Sequence, residues 1–371
     1  MHLATALDSA PGDALTLNQL AQLQLAEADL DGALQTYRRL LSQHPSSYAS
    51  RLAFARLLET CGENESASLQ YFRAMRDAQQ GGRWLSAEST PPGMRPTVAH
   101  AAAVVKRHRR ELCDRIVGPL AERFGSDAMQ RVSGFVEIQV GDASYSPADD
   151  RQRPSGYPFP DLPQAPYLDK KRIIGIDALE AQTPAILTEL KSVLSQSIGQ
   201  ESVFANKTLA DKFLHGERGL AVWDGFYLYR HGACNVANAS ACPQTMAAVD
   251  QLPLSRVPGH GPEVLFSILG PGTHLLPHFG VTNVRVVGHL PLIVPPDCAL
   301  SVAGTEHRWR VGEVVVFDDT YSHEAWNRSD EIRVVMIFDL WHPDLTEVER
   351  MAMKHLQETL GDFSSRVSQL D

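Results

Sequence analysis

Residues 277–294 read PHFGVTNVRVVGHLPLIV. From Asn283 onward β-branched residues crowd a short run that stops at Pro295 and Pro296, the composition of a strand rather than a helix. Side-chain direction reverses at each residue of a strand, so Arg285, Val287 and His289 share one face. A strand that turns a guanidinium and an imidazole the same way is more than packing material. Four related runs flank it: EVLFSIL from Glu263, ALSVAG from Ala299, EVVVFDD from Glu313 and EIRVVMIFDLW from Glu331. Short strands at close spacing, with turn residues and no helical period between them, predict an antiparallel sandwich or barrel, and a jelly roll is the natural candidate.

The chain upstream has another texture. Leu20 and Ala21 recur 34 residues later as Phe54 and Ala55, Ala33 and Tyr37 as Ala67 and Tyr71, and Leu40 as Ala74. That period is the signature of tetratricopeptide helix pairs, in which small residues let helices approach and an aromatic fills the gap. Two repeats are fewer than such stacks usually need, so helices that follow, beginning with His100 to Phe124, are expected to cap them. A proline-rich stretch, SPADDRQRPSGYPFPDLPQAPYLD, marks a boundary near residue 150. The expected class is α+β multidomain: helical tetratricopeptide-like repeats with capping helices over residues 1–150, then a jelly-roll domain over 151–371. One further amphipathic helix is expected from Ile186 to Ser197.

Bulk properties narrow the partners. A chain of 371 residues with 43% hydrophobic content has room for two or three cores. A formal charge of -10, with basic residues scattered, argues against nucleic acid and against an anionic membrane surface. The opening MHLATALDSAPGDAL lacks the features of a secretory signal and no run approaches a membrane span, so the expected compartment is the cytoplasm. Five cysteines without a CxxC pair predict reduced thiols, Cys234 and Cys242 included.

Chemistry centres on His278, His323 and Arg333. Non-heme iron is often held on one face by two histidines and a carboxylate, the first histidine standing two residues before the carboxylate. In this chain Gly280 occupies that slot. Taken alone, each histidine would more often be a hydrogen-bonded structural group. Arg333 shares a strand face with Val335 and Ile337, where a cation needs an anion. Its partner is either a ligand carboxylate or a protein carboxylate such as Asp318 or Asp319.

Several motifs in order carry a resemblance. FSILGPGTHLLPHFGVTNVRVVGHLPLIVP, FDDTYSHEAWN and IRVVMIFDLWHPDLT are similar to the catalytic domain of the aspartyl/asparaginyl β-hydroxylase family, over roughly residues 160–350. The resemblance implies a double-stranded β-helix dioxygenase that uses iron(II), 2-oxoglutarate and O2. It implies a metal held by His278 and His323 alone, with glycine at the third position. It implies Ser267 and Arg333 at the distal carboxylate of 2-oxoglutarate and His289 at the carboxylate beside its keto group. Arg285 is expected to receive an aspartyl acceptor, and Asp319 to contact substrate backbone or to order a metal-bound water. Val287 departs from the family, standing where its peptide hydroxylases carry a second arginine.

The implied reaction is hydroxylation at the β-carbon of an aspartyl or asparaginyl residue in a protein, peptide or carrier-bound substrate, which the helical repeats would hold. Relatives also suggest lipid or small amino-acid acceptors. A reading from another class is a catalytically silent binding module whose repeats recruit a partner.

Overall fold

Helices at the N-terminal side start where side chains replace missing backbone partners. Asp13 accepts from Thr16 N at 2.8 Å ahead of α1 (Ala14–Ala26), and Asp29 accepts from Gly32 N at 2.9 Å ahead of α2 (Leu30–Gln43). α3 (Tyr48–Thr60), α4 (Asn64–Gln80) and α5 (Arg95–Phe124) follow. The computed structural model describes residues 12–196, 199–217 and 219–370. The opening residues behind the reading of the N-terminus and Ser197 at the end of one expected helix lie outside them.

The chain forms two compact units, one of residues up to Arg115 together with those from Thr359 on, the other Ile116–Glu358. The proline-rich stretch therefore lies inside the second unit. In the first, positions 34 residues apart share a role: Ala21 and Ala55, Ala33 and Ala67, Tyr37 and Tyr71, Leu40 and Ala74 are all fully buried. Both tyrosines keep their hydroxyls bonded, Tyr37 accepting from Gln22 Nε2 at 2.8 Å and Tyr71 donating to Glu59 Oε2 at 2.9 Å. Buried phenols need such partners.

The second unit contains two antiparallel sheets. The larger has eight strands. Six follow the order β1 (Tyr167–Leu168), β11 (Val315–Phe317), β8 (Arg285–Ile293), β13 (Arg333–Trp341), β6 (Val264–Leu269) and β4 (Trp223–Arg230), with β2 (Glu201–Ser202) and β5 (Ala233–Cys234) beside β4. The smaller runs β10 (Thr305–His307), β9 (Cys298–Val302), β12 (His323–Asn327), β7 (Thr273–His278) and β3 (Leu214–Gly216). All five strand runs expected from the sequence are present. β4, β7 and β12 were not anticipated. Pro277 interrupts β7, and HEAWN in β12 has no β-branched residue, so neither shows the usual composition.

Alternation divides the larger sheet cleanly. Val264, Phe266, Ile268, Val286, Leu290, Leu292, Val334, Met336, Phe338 and Leu340 pack with residues of α6 (Ile176–Ala181), α7 (Thr183–Gln196) and a later short helix, Pro243–Val249. Each fully buried phenylalanine there contributes roughly 2–3 kcal/mol. The opposite parity, including Leu265, Ser267, Arg285, Val287, His289, Arg333, Ile337 and Asp339, lines a cavity. Gly288 pairs with Phe338 across β8 and β13, and a Cβ on Gly288 would lie 2.2 Å from the phenyl ring. Gly288→Ala is expected to cost about 1–3 kcal/mol by overpacking, read as a lower urea midpoint. Adding Phe338→Leu should recover part of that loss, and no destabilisation by the alanine would refute the close packing.

Candidate active site

Antiparallel register sets His323, the first residue of β12, directly opposite His278, the last of β7. The imidazoles thus stand on two strands of the smaller sheet that the sequence did not make visible. Their ring centroids are 4.0 Å apart. Each ring is tied by Nδ1 to the carbonyl two residues earlier, His278 to Leu276 O at 2.8 Å and His323 to Tyr321 O at 3.0 Å. A carbonyl only accepts, so both rings carry hydrogen on Nδ1 and, when neutral, a lone pair on Nε2. Burial, and then the charge of the neighbouring ring, pushes His278 down to about 4; burial also lowers His323. Two neutral, aimed imidazoles are what a metal-binding pair requires.

Gly280 adjoins this pair. A Cβ built there would lie 2.2 to 2.3 Å from the carboxylate atoms of Asp319, and Gly280 N donates to Asp319 O at 2.6 Å. The space of the missing side chain is filled by a carboxyl group from the segment that leads into β12. Burial raises Asp319 to about 6 although Arg285 opposes the shift. Among the described residues no group of three or more His, Cys, Asp or Glu is arranged to hold a metal ion.

His278 and His323 line a cavity of about 610 Å³ together with Ser267, Arg285, His289, Asp319 and Arg333, so all seven residues singled out in the sequence meet there. Arg333 is 2% exposed, and its Nη1 donates only to Ser267 O and Oγ, each at 3.4 Å. Its guanidinium lies 4.9 Å from the Trp309 ring centroid. No carboxylate pairs with it among the described residues, and burial lowers its pKa to about 10. The protein-carboxylate alternative for Arg333 therefore fails: Asp318 accepts from Gln152 Nε2 at 2.6 Å, and Asp319 lies 3.7 Å from Arg285. An isolated buried cation is costly and calls for an anion from outside the chain. His289 is buried beside Phe317 and held well below its ordinary pKa by burial and by the charge of Arg333, and its Nδ1 has no hydrogen-bond partner.

Arg285 is engaged within the protein, with Nη1 2.9 Å from Asp339 Oδ2. Asp339 was missed by sequence reasoning, although its parity with Arg333 along β13 offered the signal. Trp223, whose Nε1 donates to Ser267 Oγ at 2.9 Å, and Trp309 lie outside the strands legible in the sequence. His274 bonds Glu324 at 2.7 Å and packs edge-on against Trp326, and neither lines the cavity; Trp341 does. All five cysteines are free thiols.

The family model described as Aspartyl/Asparaginyl beta-hydroxylase matches residues 180–343, a span that carries both histidines, Gly280 and Arg333. Over that span, less than half of its length, this chain is similar to that family. It is similar to the human aspartate beta-hydroxylase domain-containing protein 2, 30% identical over 237 residues, which are 63% of this chain and 62% of the relative. It is also similar to the human aspartyl/asparaginyl beta-hydroxylase, 34% identical over 132 residues, or 35% of this chain and 17% of the relative. The chain thus spans less than two thirds of either. A Pseudomonas putida prolyl-4-hydroxylase structure aligns with 45% of this chain and 99% of its own, at 16% identity and a TM-score of 0.26, and no argument rests on it.

Replacing Arg333 by methionine removes the uncompensated cation, so the unliganded protein should gain about 1–3 kcal/mol and melt a few degrees higher. A dicarboxylate in excess should raise the Tm of the native chain and leave that of the variant unchanged. Equal thermal shifts in both proteins would refute an anion-receiving role.

Proposed function

We propose that this chain is a member of that family and an iron(II)- and 2-oxoglutarate-dependent hydroxylase whose metal is held by His278 and His323 alone. The observation that carries the reading is the pairing, across one cavity, of two backbone-anchored imidazoles with a buried arginine that lacks a counter-charge. The residues fit the groups. The neutral imidazoles suit a divalent metal, and Arg333 with Ser267 suits the distal carboxylate of a dicarboxylic acid. His289, neutral and with an unmet ring nitrogen, suits the carboxylate beside the keto group.

When bound, iron(II) with 2-oxoglutarate and O2 supplies the oxidation of an unactivated C–H bond, 2-oxoglutarate leaving as succinate and carbon dioxide. The chain's own contribution is to hold, orient and exclude. Nδ1 anchoring aims both rings, and Arg333 fixes one end of the cosubstrate. The apolar side chains Val287, Leu265 and Ile337 limit water around it. Asp319, which fills the space beside Gly280, would accept a hydrogen bond from a water on the metal.

Strand order supports a double-stranded β-helix: β6, β13, β8 and β11 adjoin in the larger sheet, and β7, β12, β9 and β10 in the smaller, so from β6 to β13 the chain changes sheet at every step except the β9–β10 hairpin. The proposed acceptor is the β-carbon of an aspartyl or asparaginyl residue in a protein, peptide or carrier-bound substrate. The helical unit, read as tetratricopeptide-like repeats, would recruit it. Free thiols throughout support a cytoplasmic setting.

Anaerobic titration with iron(II) and 2-oxoglutarate should give a weak metal-to-ligand charge-transfer band, with succinate forming on admission of air. His323→Ala should give neither, and native succinate formation by that variant would falsify the assignment. Gly280→Asp meets the Asp319 carboxylate head-on. It is expected not to tighten iron(II) binding unless Asp319→Gly is added, and a gain from the single change would count against the packing described.

A further inference from the structure

We propose that the acceptor end of the cavity selects an uncharged carboxamide, taking an asparaginyl side chain and refusing an aspartyl one. The inference rests on the hydroxylase reading above and names which of its two acceptors the site fits.

Charge accounting around the cavity leads to it. Three arginines line the wall. Arg230 Nη1 lies 2.6 Å from Glu201 Oε1. Arg285 lies 2.9 Å from Asp339 and 3.7 Å from Asp319. Arg333 is the one arginine of the lining without a carboxylate partner among the described residues, and the cosubstrate takes it. His231, also in the lining, has Nδ1 2.8 Å from Glu263 Oε1. An acceptor carboxylate thus finds no free arginine among the described residues of the lining. Around Arg285 one guanidinium already faces two carboxyl groups, so the local balance offers no positive charge to spare.

The next inward positions offer none either. Val287 follows Arg285 on the cavity face of β8 and pairs in register with Asp339, while His289 pairs with Ile337. A carboxylate brought against Val287, Ile337 and Leu265 loses its hydration with nothing to replace it, which is strongly unfavourable. It also meets Asp319 and Asp339 as like charges, a repulsive element that sets specificity as effectively as an attraction.

A carboxamide has neither problem. Asp319 Oδ1 and Arg285 Nε are buried without hydrogen-bond partners, one an acceptor and the other a donor, on side chains that both line the cavity. An amide offers an N–H and a carbonyl together, whereas a carboxylate offers acceptors alone.

The test compares N-acetyl-L-asparagine N-methylamide with N-acetyl-L-aspartate N-methylamide, titrated calorimetrically into the full chain saturated with iron(II) and 2-oxoglutarate under anaerobic conditions. The asparagine probe should bind at least tenfold more tightly and, in air, be the one that gains an oxygen by mass spectrometry. Equal binding, tighter binding of the aspartate probe, or binding of neither overturns the inference. Asp339→Asn frees Arg285 and should improve aspartate-probe affinity at least tenfold; an unchanged preference counts against it. Should that variant not fold, Asp319→Asn asks the same question by removing the other carboxyl. A charge-transfer band with the wrong preference sinks this inference alone, and no band sinks the hydroxylase reading with it.

Discussion

The larger sheet is covered on both faces, by helices on one and by the cavity on the other, and this constraint governs the second unit. A slip of one residue in β13 would drive Arg333 and Asp339 into the layer of Phe266, Leu290 and Leu190 while turning Met336 and Phe338 into the cavity. Both outcomes are ruled out by the cost of burying unpaired charge and by the loss of apolar packing. Register is therefore specified by two independent penalties. The same alternation that keeps the core dry delivers Ser267, Arg285, His289 and Arg333 to one surface.

The smaller sheet adds what the larger cannot. His278 and His323 come from points far apart in the chain, and pairing of β7 with β12 makes them neighbours. With the uncompensated Arg333 on the larger sheet and the imidazole pair on the smaller, the proposed chemistry depends on both sheets being present at once. Arg285, Asp339 and Asp319 form a third region whose charges are settled among themselves, so the cavity treats its ligands unequally along its length.

Much of this was legible in the amino-acid order, for identifiable reasons. Period-two alternation in EIRVVMIFDLW and NVRVVGHLPLIV is strong because both strands are long, and it put Arg333 and His289 on their correct faces. The 34-residue recurrence named positions most of which turn out to be fully buried, Leu20, which is half-buried, and Phe54 being the exceptions. β7 and β12 escaped because Pro277 and the mixed residues of HEAWN carry little strand preference; their pairing is imposed by neighbours rather than by local propensity. The Arg285–Asp339 ion pair and the placement of Asp319 against Gly280 escaped for another reason. Each joins segments distant in sequence, and no local pattern encodes a distance between them.

The bonds from the two imidazoles to Leu276 O and Tyr321 O reach back only two residues along the same strand segments. Ring orientation is thus written into local backbone shape, without help from a distant carboxylate. A ligand arriving at the pair meets rings whose rotational freedom was surrendered during folding, so little of that entropy remains to be lost on association. Substitutions elsewhere in the wall can then retune what the cavity accepts while the aim of the pair stays fixed.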